Sequence, residues 1–532
     1  MKTKNNYRAV INLSSNRLPI IAKSILVGLL TGLLISAYRL ALVYAGELSL
    51  NLYDRLRNHM AWLPIAFLLL AIGGLFIGVL ISRYDMIKGS GIPQVKGIMM
   101  GYLKNNWLST LLAKFFGGAI CILAGLSLGR EGPSIQLGSC VAQGLGNKLA
   151  SSRTEKKILI ASGAGAGLAA AFNAPLAGAM FALEEIFRYF SPVILLSTLV
   201  SAIVADFVSK LVFGMSPVFQ FGELSIIPLE SYWILFILGI ILGIFGAFHN
   251  YVLLYIQKLY QRVNIVARPV IPFLTAGILG LYFPLATGSG HPIINELQLS
   301  PSITFLITLL ILKFLFSMLS FGSGAPGGIF FPLLMTGAII GGIFGHVTNL
   351  IGYGNEFINN FIIFAMAGFF TAIVRAPITG VVLLVEMTGS FSHLLPLTVV
   401  SVTSYVVADL MKSAPIYDSL LENIIKNKKE EKTEQEAGQK ITLEMIVHYG
   451  SKIENKKIKD INFPESCLLI AIRRGGKDII PRGNTRILAE DYLVVLTDLA
   501  EEAKTRKHIL ELIGIKRQDN YTKGGAYIGK YR

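Results

Sequence analysis

The residues best placed to do chemistry lie in one short string, Gly129-Arg130-Glu131-Gly132-Pro133. The charged pair Arg130–Glu131 closes a largely apolar run, residues 108–128, just before a second run begins. A carboxylate at a membrane interruption is costly unless it is paired, solvated or protonated, so its presence points to function. The glycines let the backbone turn and leave amide N–H groups uncovered, and Pro133 suits the first turn of a new helix. A helix start carries roughly half a positive elementary charge together with unpaired N–H donors. That geometry favours an anion, and the question becomes whether the rest of the chain builds an anion path around Glu131.

What must position these residues is a membrane scaffold. Of 532 residues, 53% are hydrophobic and only 15% charged, and the mean hydropathy is +0.60. Apolar runs recur from Pro19 to about Leu410, among them residues 19–40, 61–81, 232–256, 301–319 and 357–385. Many are near the ~20 residues that cross a bilayer as a helix. A polytopic α-helical membrane protein follows. Glycine and proline interruptions predict tilted and broken helices, which survive at membrane depth only where the freed backbone faces protein or a water-filled cavity. The net charge of +16 reflects Lys and Arg gathered at the chain ends and in short loops, the positive-inside pattern, and does not call for nucleic acid. Both the N-terminal segment (residues 1–18, with Lys2, Lys4, Arg8 and Arg17) and the basic C-terminus are expected on the cytoplasmic side. The first apolar run lacks a small-residue cleavage site. Cys121, Cys140 and Cys467 form neither a disulfide framework nor a zinc pattern, and no cofactor is expected.

The chain also repeats itself. Gly89-Ser90-Gly91-Ile92-Pro93 recurs as Gly288-Ser289-Gly290-His291-Pro292, displaced by 199 positions (288 − 89). Gly129-x-x-Gly132 matches Gly324-x-x-Gly327 at 195 (324 − 129). Ala170-x-x-x-Ala174-Pro175-x-x-Gly178 matches Ala372-x-x-x-Ala376-Pro377-x-x-Gly380 at 202 (372 − 170). Beyond the last glycine of each copy stands an acid, Glu184 in one and Glu386 in the other. Three matches in one order predict two related halves, about residues 24–213 and 231–412. Hydropathy leaves open whether they are parallel or inverted. Paired breaks in corresponding halves point to a transport site near the midplane.

Gly89-Ser90-Gly91-Ile92-Pro93, Gly129-Arg130-Glu131-Gly132-Pro133 and Gly327-Gly328-Ile329-Phe330-Phe331-Pro332 resemble, in this order, the three signature segments of the CLC family of chloride channels and chloride/proton antiporters. The resemblance covers roughly residues 20–420, within a transmembrane domain set at 19–421. It implies an inverted-repeat fold with broken helices, and a homodimer with one anion path in each subunit. Carried over residue by residue, it implies that Ser90 and the amides beside it, at Gly91 and Ile92, hold chloride. Ile329 and Phe330 would donate backbone N–H groups to the same region. Tyr417, in Ala414-Pro415-Ile416-Tyr417, would close its inner side, and Glu131 would be the gate and external proton acceptor.

Proton-exchanging members usually carry an internal acid, which the resemblance places at Glu185 with Glu184 beside it. An acid there favours an antiporter over a proton-gated chloride channel. A remote alternative is an intramembrane hydrolase built on Ser289 and His291, although no His-Glu-x-x-His zinc string occurs. Ser90 matches the chloride-selective version of its segment, while Gln94 stands where many relatives have a glutamate. Plainer readings exist for several of these residues. Ser90 is a natural helix cap, Tyr417 could belong to an interfacial aromatic belt, and Glu185 with Arg188 could form an interfacial ion-pair cluster.

After a charged linker, residues 422–439, the tail resumes order over 440–515. Strands are expected at 441–448, 467–472, 478–481 and 491–496, with helices at 456–461 and 499–512. The string Ile470-Ala471-Ile472-Arg473-Arg474-Gly475-Gly476, then Ile480-Pro481-Arg482-Gly483, then Asp491-Tyr492-Leu493-Val494-Val495-Leu496 resembles the TrkA-C (RCK-C) regulatory domain of potassium-uptake and potassium-channel proteins. Members pair as dimers and some bind small ligands, including cyclic di-AMP. Arg473, Arg474 and Arg482 are the candidates to meet phosphate. Residues 516–532 read as a basic tail. The expected partners are chloride, protons, membrane lipid, a second copy of the chain and a nucleotide second messenger. The expected location is a bacterial cell membrane.

Overall fold

The computed structural model describes residues 17–513 except 189, 222–223, 300, 354, 433–439, 476 and 499–500. Residues 1–16, the end of the charged linker and the basic tail therefore lie outside the described residues. The chain divides into two compact units, one of them Leu18–Ile424 and the other containing the segment from Ile425 onward.

The first unit opens with α1 (Arg17–Asn58), α2 (Leu63–Arg83), α3 (Ile92–Met100), α4 (Trp107–Leu123), α5 (Glu131–Leu149), α6 (Arg153–Phe172), α7 (Pro175–Phe181) and α8 (Pro192–Phe213). The same order returns as α9 (Tyr232–Tyr260), α10 (Val270–Tyr282), α11 (His291–Gln298), α12 (Ile303–Gly322), α13 (Phe330–Leu350), α14 (Ile358–Val374), α15 (Pro377–Thr388) and α16 (Leu394–Leu410). Then comes α17 (Ile416–Lys432). Among the described residues, seven helices are long and apolar enough to cross a membrane. The short α3 and α11 are the broken elements. Each follows a left-handed glycine, Gly91 at φ 90° and Gly290 at φ 97°, and each has proline in its first turn. That pairing of a turn only glycine adopts cheaply with a helix-opening proline explains both breaks.

The structure corrects the middle match of the repeat. The turn after α4 has Gly125 at φ 85°, and the turn after α12 has Gly324 at φ 82°, 199 residues later (324 − 125). The next helices begin at Glu131 and Phe330, again 199 apart (330 − 131). Gly129 therefore corresponds to Gly328, and Glu131 to Phe330. The four-residue slip arose because a Gly-x-x-Gly string fits a glycine-rich loop in more than one register.

Backbone bonds cross between the halves in reciprocal pairs. Gly129 N–H donates to Gly328 O at 2.7 Å, and Gly328 N–H returns the bond to Gly129 O at 2.8 Å. Gly89 N–H donates to Gly324 O at 3.1 Å, while its counterpart Gly288 N–H donates to Gly125 O at 2.9 Å. A two-fold relation between the halves produces this exchange. Two fully buried lysines follow the same symmetry. Lys114 Nζ donates to the carbonyls of Ile87 and Gly89, and Lys313 Nζ to those of Ala286 and Gly288. Each ammonium recovers part of its lost hydration from carbonyls of the loop that precedes a short helix.

Two acids are exchanged as caps. Glu184 accepts from Ile378 N–H at 3.2 Å and Thr379 N–H at 2.8 Å in the first turn of α15. Glu386 accepts from Leu176 N–H at 3.0 Å and Ala177 N–H at 2.8 Å in the first turn of α7. Each carboxylate thus satisfies orphan donors at a helix start of the other half. Beyond α7 the chain winds into a π-helical segment, Ala182–Phe187, whereas α15 stays α-helical past Glu386.

In the second unit, β1 (Lys440–Ile446), β2 (Cys467–Arg474), β3 (Lys477–Ile479) and β4 (Tyr492–Asp498) form an antiparallel sheet in the order β1-β4-β2-β3. Leu443, Ile472, Leu493 and Val495 face Ile509 and Ile513 of α18 (Glu502–Ile513) in one core. The helix expected at 456–461 reduces to one 3-10 turn, Ile458–Asp460. There, Ile487 N–H takes Lys456 O at 3.0 Å, the carbonyl an α-helix would offer to Asp460 N–H, and Asp460 N–H bonds Lys457 O at 2.9 Å instead.

The reciprocal caps yield a stability prediction. Glu184→Ala and Glu386→Ala should each lower the unfolding free energy of the purified protein by about 1–2 kcal/mol, by similar amounts. Thermal unfolding in detergent measures this, and a loss at only one of the two would break the symmetry argument.

Candidate functional site

Three helix starts meet around Ser90. Ser90 is buried and its Oγ accepts from Ile92 N–H at 3.3 Å, a local bond across Gly91, which is itself the N-cap of α3. The first turn of α5 lies directly against it: a Cβ on Gly132 would stand 2.8 Å from Ser90 Cβ and Ser90 O. The loop before α13 closes the third side, with a Cβ on Gly328 falling 3.0 Å from Gly132 N. Gln136 on α5 ties the arrangement together by donating to Met86 O at 2.6 Å. Ile329 caps α13 and Phe330 opens it, both buried. The Phe330 ring is held between Phe172 and Phe370, at centroid distances of 5.4 and 4.7 Å. Gly91, Ile92, Ile329 and Phe330 are therefore brought to the starts of α3 and α13, which supply the partial positive charge of uncapped amides.

Glu131 occupies the start of α5 and is fully buried, with both carboxylate oxygens lacking a hydrogen bond among the described residues. The Arg130 Nε is 4.0 Å from one of them, too far for a hydrogen bond. The carboxylate folds back over Gly129, where a Cβ would sit 2.2 Å from Oε2. Tyr417, in the first turn of α17, is also fully buried, and its hydroxyl too lacks a partner. The phenol is within electrostatic reach of both Glu131 and Glu185. A carboxylate and a phenol buried this deeply beside helix starts are costly to keep, which marks the region as a candidate site.

Glu185 lies in the π-helical segment that follows α7, a distortion frequent at functional sites. Its carboxylate is buried and meets Lys96 Nζ of α3 at 2.6 Å. The same ammonium reaches Asp418 of α17 at 2.6 Å, and Asp418 in turn binds Arg188 at 2.6 Å. Glu184 points elsewhere, to the start of α15.

A sequence profile described as voltage gated chloride channel matches residues 73–409. The H(+)/Cl(-) exchange transporter ClcA of Vibrio cholerae serotype O1 is 35% identical over 79% of this chain and 93% of its own length. The chain belongs to the voltage gated chloride channel (CLC) family. Within that family, ClcA of Salmonella typhimurium is 31% identical over 82% of this chain and 95% of its own. The crystal structure of a slow cyanobacterial Cl-/H+ antiporter aligns with a TM-score of 0.73 at 31% identity, covering 77% of this chain and 99% of that one. The two-fold exchange of backbone bonds is thus the inverted repeat of the CLC fold. Membership in a family of transporters removes the hydrolase alternative, and the His291 ring is occupied in packing against Phe219 and Phe331.

A second profile, the TrkA-C domain, matches residues 442–510 of this CLC chain. Two of its three candidate arginines have partners inside the domain. Arg474 makes a two-pronged contact with buried Asp491, Nε and Nη2 each at 2.7 Å, and this hydrogen bonding holds the guanidinium pKa above its ordinary value. Arg473 lies 3.0 Å from Asp478 and 3.6 Å from Glu444. Arg482 is exposed.

The sequence reading missed Lys96, Asp418, Lys114 and Lys313. Lys114 interrupts the very run that ends at Arg130–Glu131, and a lysine inside an apolar helix is itself a signal. Asp418 directly follows Tyr417, but nothing local ties it to a lysine 322 positions away (418 − 96).

Gly129 offers a way to move the Glu131 carboxylate without altering it. Its φ is not left-handed, so alanine is conformationally allowed, yet the new methyl would collide with Glu131 Oε2 at 2.2 Å and press on Phe331 N and Cβ at 3.1 Å. Gly129→Ala should therefore expel the carboxylate, raise chloride flux in proteoliposomes and reduce accompanying proton movement by about tenfold. Unchanged rates for both ions would show that the carboxylate's position does not matter.

Proposed function

We propose that this chain exchanges chloride for protons across the membrane, as its exchanger relatives are named for doing. The observation that carries the reading is the buried Glu131 carboxylate at the start of α5, with Arg130 no nearer than 4.0 Å, beside the helix starts of α3 and α13. An anion leaving water must recover its hydration from fixed donors. Amides at helix starts and hydroxyls do so without a full countercharge, which keeps binding weak enough for release. In this reading Ser90, Gly91, Ile92, Ile329 and Phe330 line the chloride position, and the Tyr417 hydroxyl closes its inner side.

A charged Glu131 carboxylate and chloride are like charges competing for one region, and they exclude each other. Protonation removes the competition, so the neutral side chain leaves and chloride enters. Each proton taken up at Glu131 is then linked to a chloride that moves. Glu185 takes up protons from the other side of the route. The presence of an acid there favours exchange over a proton-gated chloride channel.

Simultaneous recording of both ions in proteoliposomes tests this. A chloride gradient should drive protons uphill in the wild type. Glu131→Gln and Glu185→Gln should each reduce proton movement by about a hundredfold or more while chloride still crosses. Proton flux that persists in Glu131→Gln with unchanged chloride dependence would end the exchange mechanism, and chloride current reversing at its own Nernst potential in the wild type would establish a channel.

We further propose that the chain works as a homodimer in a bacterial cell membrane, with both termini cytoplasmic, as the family resemblance implies. The TrkA-C unit supports a regulatory role in which a nucleotide second messenger such as cyclic di-AMP adjusts transport. Because Arg473 and Arg474 are engaged within the domain, Arg482 is the favoured phosphate contact. Calorimetric titration of residues 438–518 with cyclic di-AMP should release heat, and Arg482→Ala should weaken binding about tenfold or more. A flat wild-type trace would exclude this ligand.

A further inference from the structure

Lys96 stands between two carboxylates. Its side chain is fully buried, and Nζ lies 2.6 Å from Glu185 Oε1 and 2.6 Å from Asp418 Oδ1. Asp418 Oδ2 is 2.6 Å from Arg188 Nη2, and that guanidinium is 3.9 Å from Glu185 Oε2. The four groups close a ring of two cations and two anions. Exposure is graded around it: 3% for the Glu185 side chain, 0% for Lys96, 29% for Asp418 and 37% for Arg188. Within this ring, solvent reaches a carboxylate at Asp418, and Lys96 separates that carboxylate from Glu185.

Stability alone is a weak reason for such a ring, because apolar residues of similar volume often serve a buried position as well as an ion pair does. The two cations also differ in kind. A lysine can lose a proton in a buried site, whereas an arginine does not. The residue within hydrogen-bond distance of both carboxylates is the lysine, whereas the arginine bonds only the outer one and stands 3.9 Å from Glu185.

We propose that Asp418 and Lys96 form the entrance by which protons reach Glu185, a proposal that rests on the reading of Glu185 as the internal proton acceptor. Asp418 takes a proton from solvent and becomes a carboxylic acid. The Lys96 ammonium gives one N–H proton to Glu185 Oε1, breaking that N–H bond and forming an O–H bond. The neutral amine then takes the proton from Asp418, which restores the ammonium and the Asp418 carboxylate. One proton has moved from solvent to Glu185, and no charge is created or lost. Both transfers run across nitrogen–oxygen separations within hydrogen-bond reach. Arg188 keeps its charge throughout and positions Asp418.

Lys96→Arg is the deciding substitution. It retains a cation able to pair with both carboxylates but removes the transferable proton. In proteoliposomes it should reduce chloride-driven proton movement by about tenfold or more, while chloride continues to cross uncoupled. An ammonium that merely positions Glu185 would be replaced by the guanidinium with coupling intact, and wild-type proton movement in Lys96→Arg would overturn the relay. Because arginine is the larger side chain in a fully buried site, Asp418→Asn provides a second arm at the exposed end of the ring. With chloride flux as the measure of correct folding, it too should lose proton movement, and protons moving at the wild-type rate would overturn the proposal. Glu185→Gln separates the two layers. If it leaves proton movement intact, the assignment of Glu185 fails. If it blocks protons while Lys96→Arg and Asp418→Asn do not, the relay alone fails.

Discussion

The backbone exchange between Gly129 and Gly328 is the constraint on which the rest of the site depends. Two extended glycine loops meet there and satisfy each other, with N···O distances of 2.7 and 2.8 Å. Irregular backbone at membrane depth needs internal partners, and here each loop is the other's partner. The close approach leaves little room for side chains: a Cβ on Gly327 would lie 2.6 Å from Leu128 Cβ, and one on Gly132 would strike Ser90. Only a loop of this composition lets the starts of α3, α5 and α13 come together. Lys114 and Lys313 then hold the preceding turns by their carbonyls, so the helix starts are fixed in direction as well as in place.

Symmetry separates scaffold from chemistry. Polar groups that occur in both halves do structural work: Lys114 with Lys313 at the turns, and Glu184 with Glu386 at the caps. The groups that break the symmetry are the ones with chemical potential. Glu131 corresponds to Phe330, 199 positions on, and Glu185 to Met387, 202 positions on. Lys96 corresponds to Asn295 by the first of these displacements. One half thus keeps an apolar or neutral residue where the other places a titratable group, and the π-helical turn around Glu185 has an α-helical counterpart. A duplicated frame supplies paired helix starts, and point departures from it place titratable groups in one half alone.

How much of this was legible in the sequence follows from the range of each interaction. Breaks before α3 and α11 are written locally, in a left-handed glycine and a proline, and the membrane spans in uninterrupted hydropathy. The caps were half legible: Glu184 and Glu386 stood out as repeat partners, but their targets lie 195 and 209 residues away (379 − 184 and 386 − 177). Register inside the glycine loops was illegible because the residues that define it, Gly125 and Gly324, differ from the other glycines of those loops in backbone angle rather than in type. In the tail, the strands announced themselves by apolar alternation, while the helix expected at 456–461 lost its first carbonyl acceptor, Lys456 O, to Ile487 N–H of a distant loop. Arg473 and Arg474 looked available for phosphate because Asp478, Glu444 and Asp491 approach them only once the sheet forms.

The first turn of α17 joins the two chemistries. Tyr417 and Asp418 are consecutive, so on a helix their side chains leave about 100° apart. One helix start therefore carries a buried phenol and, beside it, a carboxylate that binds Lys96 and Arg188. Both residues are held by the rigid environment beneath them, since Asn250 of α9 donates to Ala414 O at 3.1 Å and Arg375 to Ser413 O at 2.9 Å just before the helix begins. Any displacement of α17 must move the Tyr417 phenol and the outer end of the ion-pair ring together. The same helix continues to Lys432, and the chain goes on from there to the TrkA-C unit. Covalent continuity thus places Tyr417, Asp418 and the attachment of the TrkA-C unit on a single element.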